Sequence, residues 1–278
     1  MEFIYSIMDN IPLAFLSYNF MKNSIMAAIL IAPLFAFLGT IAVNNKMAFF
    51  SEALGHSAFT GIAIGSLLGL NNPVLAMIAF GIVLGLLITK VKNINKTSAD
   101  TVISVFSSIA MALGIILLSR NGGFAKYSSY LIGDILLISP KEILMLVALL
   151  IIVFAVWCAI YNRLMITGIN TSLASSRGIN TSVTEYIFII MIAVTVMFTI
   201  KWLGILTINS LLILPAAAAR NISSSSKQYV LSSVVISLIS AISGIIISFY
   251  ADTSAGAAMV LVAGIIFFIT LIIGLREK

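Results

Sequence analysis

The sequence predicts an all-α, polytopic integral membrane protein with eight or nine transmembrane helices. Three observations carry that prediction. Apolar runs of roughly 16 to 22 residues recur along the whole length, close to the ~20 that cross a hydrocarbon core as a helix. Charged residues make up 9% of the 278 positions, against about 25% in an average soluble domain. The basic residues lie in the short intervals between the runs rather than on one soluble face, which argues against a nucleic-acid partner.

Taken in order, residues 1–23 form an N-terminal outer segment carrying Glu2, Asp9 and Pro12. No short apolar stretch with a small-residue cleavage site precedes the first run, so no removable signal peptide is expected. Nine apolar segments follow, at 24–43, 51–70, 73–90, 102–119, 141–161, 185–200, 203–219, 229–250 and 256–275. Nothing between them is long enough for a soluble domain, and residues 1–278 read as one transmembrane domain. With the N-terminus outside, Lys46, Lys90, Lys92, Lys96, Arg163, Arg177, Arg220, Lys227, Arg276 and Lys278 fall inside, and Lys22, Arg120, Lys126, Lys141 and Lys201 outside. This obeys the positive-inside rule and places the C-terminus in the cytoplasm. Lys201-Trp202 alone separates the sixth and seventh segments; joining them gives eight spans and puts Arg220 and Lys227 outside, so nine is preferred. Cys158, the single cysteine, falls in a predicted span and reads as a small core residue.

Two connections are more than turns. Between Arg120 and Pro140, Gly122-Gly123 ends the preceding helix, and the apolar YLIGDILLI reads either as a segment that re-enters the membrane or lies on it, as part of an outer gate, or as a plain connector. The inner loop 162–184 contains TSLASSRGIN, with Leu173, Ala174 and Arg177 in small, helix-compatible company ended by Gly178. It reads either as a short surface helix or as a plain connector.

An ionised group centred in a bilayer costs ~2.5–3.5 kcal/mol on insertion scales, so intramembrane acids are functional candidates. Of the nine acids, Glu2, Asp9 and Glu277 are terminal, Asp134, Glu142 and Asp252 fall in outer connections and Glu185 at an inner helix start, which leaves Glu52 and Asp100. FFSEALGHSAFTG sets Glu52 four residues before His56, the only histidine. Positions four apart share a helical face, and carboxylate with imidazole suits Zn²⁺ or Mn²⁺. A buried Glu-His hydrogen bond and a proton relay are the alternatives. In WLGILTINSLLILPAAAARN, Asn209 and Ser210 sit mid-segment and Pro215 frees a carbonyl near Leu211. Such breaks line transporter cavities or are packing kinks. The twelve methionines are dispersed and read as filler. No GxxxxGK[ST] occurs, so any ATP hydrolysis must come from a partner.

Six motifs in order resemble the permease subunits of bacterial ABC-type zinc/manganese importers, above all the zinc-uptake branch. KMAFFSEALGHSAFTG is similar to M-S-F-x-G-D-A-L-S-H-A-x-L-P-G, with Glu52 for Asp and Phe59-Thr60 for Leu-Pro. ADTVISVFSSIAMALGIILLS places Asp100 at the acid of E-D-T-x-I-G, with Ser104 where Gly is usual. YLIGDILLIS, LASSRGIN, WLGILTINSLLILPAAAAR and YADTSAGAAMVL match four further family patterns. The resemblance implies a type II-like ABC permease in the bacterial inner membrane. It implies a homodimer with the metal path at its axis, two cytoplasmic ATPase subunits, and an extracytoplasmic metal-binding protein that delivers the ion. It also implies Glu52 and His56 as transient metal contacts, Asp100 at an inner gate, Asn209, Ser210 and Pro215 along the path, and Leu173, Ala174, Arg177 and Gly178 in the helix that couples to the ATPase. Zn²⁺ or Mn²⁺ is then cargo, and no cofactor is held permanently. Two rivals are a siderophore- or vitamin-type ABC permease, which needs no Glu-His pair, and an ion-gradient-driven transporter, for which no clear internal repeat is visible.

Overall fold

The structure, a computed structural model, describes residues 2–9, 12–70, 72–94, 98–120, 127 and 129–276. Its elements are helical: α1 (Glu2–Asp9), α2 (Asn19–Asn44), α3 (Phe50–Leu67), α4 (Val74–Ile94), α5 (Ala99–Arg120), α6 (Ser129–Ile132), α7 (Pro140–Ile169), α8 (Thr171–Ser176), α9 (Thr181–Ile222), α10 (Ser226–Ala251) and α11 (Ala255–Arg276). Short 3-10 turns lie at Ala14–Ser17 and Ile135–Leu137. The proposed break at Gly122-Gly123 lies outside the described residues.

Among the described residues, seven helices are long and apolar enough to cross a membrane: α2, α4, α5, α7, α9, α10 and α11. By length and hydropathy alone the expected eight or nine are not all counted, for two physical reasons. Segment 51–70 becomes α3, whose Glu52, His56 and serines lower its hydropathy; most of α3 is buried by protein and has no need of a lipid-compatible surface. Segments 185–200 and 203–219 join in α9, with no break at Lys201-Trp202. The interruption sits instead at Gly204, whose φ of 73° and ψ of 163° are not helical.

The ends of the predicted spans also move. α2 begins at Asn19 rather than near Ser24 because Lys22, expected in an outer connection, is buried and ion-paired with Asp9. α7 continues past Asn162-Arg163 to Ile169, which shortens the loop before α8. Cys158 is exposed on α7 and is not a core residue.

The chain forms two compact units, one of residues 1–40, 132–157 and 202–278, the other of 41–131 and 158–201. In the first, α10 packs on α11 where Gly244 leaves room for Met259, since a Cβ there would lie 2.5 Å from its Cγ. Tyr229 donates from its hydroxyl to the Thr40 carbonyl at 3.3 Å, and Trp157 donates from Nε1 to the Phe37 carbonyl at 3.0 Å. Gly133 and Gly204 meet backbone to backbone. Both have positive φ, and a Cβ on Gly133 would lie 2.2 Å from the Gly204 nitrogen. Gly133→Ala is thus expected to destabilise the protein by about 3 kcal/mol or more, combining left-handed strain with overpacking. A lowered thermal midpoint of the detergent-purified protein checks this.

In the second unit, α4 packs antiparallel to α3, with Gly61 against Met77 and Gly65 against Pro73. Gly81 and Gly85 of α4 admit Met197 and Ile189 of α9. Missing side chains thus set close helix approach, as small residues do within membranes.

Candidate metal path

The site is built where α5 lies against α3 in the second unit. The Thr60 hydroxyl donates to the Ala110 carbonyl, and Gly114 sits against Phe59 and Thr60, so that a Cβ would lie 2.6 Å from the Thr60 nitrogen. Thr60 stands where the resembled pattern has proline. Here it ties α3 to α5.

These contacts fix the register. Residue 60 of α3 lies level with about residue 112 of α5, between its two contacts, and the helices run in parallel, since Glu52 and His56 share one cavity with residues 103–111. At 1.5 Å per residue, His56 is then level with about Ser108 and Glu52 with about Ser104. A cavity of about 310 Å³ opens there, lined by Glu52, His56, Ser104, Ser107, Ser108 and Met111, with Phe49, Ala53 and Ile103.

Within it His56 Nε2 stands 3.6 Å from Glu52 Oε1, longer than an N–H···O hydrogen bond. The His56 Nδ1 atom is buried and has no hydrogen-bond partner. The side chains keep 27% and 48% of their exposure, so the pair faces the cavity rather than being sealed in a core. Of the alternatives open in the sequence, the satisfied structural hydrogen bond is the one this geometry does not make. What remains is a carboxylate and an imidazole one helical turn apart, with ligand capacity unused.

Asp100 does not join them. Among the described residues no group of three or more His, Cys, Asp or Glu is placed to hold a metal ion. Asp100 is exposed at the start of α5, about one turn below the level of Glu52, and on the same face as Ser104, Ser107 and Met111. Sequence reasoning missed the three serines and Met111. Their spacing along α5 marks a face, but only the Thr60 and Gly114 contacts say that this face meets α3.

In the first unit, Asn209 is partly buried with its Oδ1 unpartnered, Ser210 donates to the Leu206 carbonyl at 2.9 Å, and Pro215 lies inside α9. They belong to a different unit from Glu52 and His56. Beside Asn209, Thr207 meets Gly256 at the start of α11, where a Cβ would lie 2.2 Å from its Oγ1.

TSLASSRGIN forms the expected short helix. Asn170 caps α8 by accepting from the Leu173 N–H at 3.0 Å. At its other end the Gly178 N–H donates to the Ser175 carbonyl at 3.0 Å and the Ile179 N–H to the Ala174 carbonyl at 3.1 Å. With Gly178 at φ 72°, this is a Schellman stop. Ala174 is buried, whereas Leu173, Arg177 and Gly178 are exposed. A cavity of about 650 Å³ beside it is lined by Asn44, Lys46, Lys92, Asn170, Thr171 and Glu185, among others. Lys92 and Glu185 pair across it, and Asn93 donates to Glu185 at 3.3 Å. Asn44 Nδ2 donates to the Met165 carbonyl at 3.4 Å and fills the space that a Cβ on Gly168 would need. The end of α7, which leads into α8, therefore rests on the end of α2, which leads through Lys46 into α3 and Glu52.

Comparison with known proteins shows the family. The chain is 30% identical over 256 residues to the high-affinity zinc uptake system membrane protein ZnuB of Haemophilus influenzae, covering 91% of this chain and 97% of that one. It is 27% identical to the manganese transport system membrane protein MntC of Listeria monocytogenes, covering 94% and 93%. In fold it is similar to a chain of PsaBC from Streptococcus pneumoniae in complex with Fab, with a TM-score of 0.82 at 23% identity over 95% of this chain and 94% of that one. The model of the ABC 3 transport family matches residues 17–274. The chain belongs to the ABC 3 transport family, as a multi-pass metal-importer permease.

Proposed function

We propose that this chain is the membrane subunit of an ATP-driven importer whose cargo is Zn²⁺, passed through the cavity at Glu52 and His56. The observation that carries this reading is the pair itself, which lines an open cavity with the imidazole's Nδ1 unpartnered. Two copies around a shared axis supply four such ligands, a number that suits zinc. One copy supplies two, and an incomplete shell lets an ion pass on where a closed one traps it. Mn²⁺ also accepts carboxylate and imidazole, and the relatives include systems named for either metal at similar identity. Zinc is favoured by the imidazole and by the general similarity of the sequence to the zinc-uptake branch.

Asp100, one turn below the pair, receives the ion at the inner gate. The broken-helix pattern at Asn209, Ser210 and Pro215, in the first unit, supports a role for these residues in transport. α8 docks on a cytoplasmic ATPase through exposed Leu173 and Arg177, and the contact of Asn44 with Gly168 passes its motion to the turn before α3. An extracytoplasmic metal-binding protein delivers the ion. The protein lies in the bacterial inner membrane with its N-terminus outside and its C-terminus in the cytoplasm. For the span count, a straight α9 of 42 residues is about 63 Å long, twice the ~30 Å hydrocarbon core. Its parts before and after Gly204 are about 35 and 27 Å, each the length of one span. With α3 counted, nine spans result, consistent with termini on opposite sides.

The test is growth and metal uptake of a host lacking its own zinc importers, supplied with this chain, its ATPase and its delivery protein. Zinc accumulation that depends on all three is expected. Preferential manganese accumulation contradicts the choice of ion, and accumulation of neither metal contradicts the function.

A further inference from the structure

One methionine stands apart from the other eleven. Met111 lines the cavity that holds Glu52 and His56, whereas in the sequence it is one of twelve dispersed methionines. The register fixed by Thr60, Ala110 and Gly114 puts it level with about Phe59, roughly 4.5 Å beyond His56 along the path. It is only half-buried, so its side chain does not fill a closed core. On the proposed orientation an entering ion meets Met111 first, then His56 beside Ser107 and Ser108, then Glu52 beside Ser104, and last Asp100.

The donor set changes along that line. The thioether is soft and neutral, the imidazole borderline, and the hydroxyls and carboxylates hard. Manganese gains from the oxygen donors and little from sulfur, while zinc accepts sulfur, nitrogen and oxygen. Among the described residues no third His, Cys, Asp or Glu joins Glu52 and His56 at the cavity, so a weak third donor is a large share of what the protein contributes there.

We propose that Met111 is a specificity-determining residue of the path, its thioether biasing the cavity toward zinc over manganese. This rests on the reading of Glu52 and His56 as metal contacts and adds to it.

The test uses the purified permease and measures binding of radiolabelled zinc with manganese as competitor, alongside the zinc-to-manganese uptake ratio in cells with one unchanged delivery protein. Met111→Leu keeps the volume and removes the sulfur. It is expected to lower the zinc preference about tenfold (~1.4 kcal/mol). Met111→Gln puts a hard oxygen at similar reach and should lower the preference further. An unchanged preference in both variants, each folded and inserted in normal amount, overturns the proposal. So does a raised preference in Met111→Leu. Glu52→Gln and His56→Ala in the same assay separate the two levels. If they bind and transport like the wild type, the path itself is misplaced and the inference falls with it; if they fail while Met111→Leu keeps its preference, only the inference falls.

Discussion

His56→Ala is expected to abolish zinc uptake while the protein still inserts and assembles. Removing a residue that merely orients a metal ligand typically costs ~10–100-fold in metal affinity or activity, so loss of the ligand itself should exceed that. The packing loss is small, because the side chain is partly exposed and its Nδ1 holds no partner. Glu52→Gln keeps size and polarity but removes the charge that offsets a dication, and it should behave alike. Glu52→Asp should be milder, since aspartate is the acid of the resembled motif. Radiolabelled zinc uptake, with immunodetection of protein in the membrane fraction, measures all three. Wild-type transport by His56→Ala at normal expression removes this residue from the path.

Ala174→Pro is expected to uncouple ATP hydrolysis from transport. Ala174 is fully buried, and its N–H donates to the Asn170 carbonyl at 3.0 Å. Proline deletes that bond and places a ring where no space exists, at a cost of about 3 kcal/mol for a helix interior. α8 has only six residues and is held by Asn170 at one end and Gly178 at the other, so it has no further turn with which to absorb the loss. Charge reversal at exposed Arg177 should produce the same uncoupling without unfolding the helix. ATPase activity that no longer responds to loaded delivery protein, with reduced uptake, is the expected result. Normal uptake and unchanged co-purification with the ATPase in both variants leave TSLASSRGIN as a connector.

Helical periodicity made much of this legible. Glu52 and His56 are four apart on any helix, and the recurring apolar runs alone imply the fold class. Gly178 after a run of small residues announced the stop of α8 in the same way. Local pattern failed where a partner elsewhere in the chain decides the outcome. Lys22 looked like a loop residue because nothing near it in sequence neutralises it; Asp9 does so in space. α3 was counted among ordinary spans although protein, not lipid, surrounds most of it. The wall of the cavity on α5 was invisible for the same reason. Ser104, Ser107, Ser108 and Met111 acquire meaning only through Thr60 and Gly114. Gly204 inside an apolar stretch gave no sign of its positive φ, which follows from its approach to Gly133 more than seventy positions earlier in the chain.

The central claim is inward, ATP-driven zinc movement past Glu52 and His56. Its most direct test is zinc flux in proteoliposomes that contain this chain, the ATPase and the delivery protein in defined orientation. Zinc should move toward the ATPase side only when ATP and metal-loaded delivery protein are both present, and Glu52→Gln should stop it. Zinc moving down its own gradient without ATP contradicts the account and favours a gradient-driven transporter.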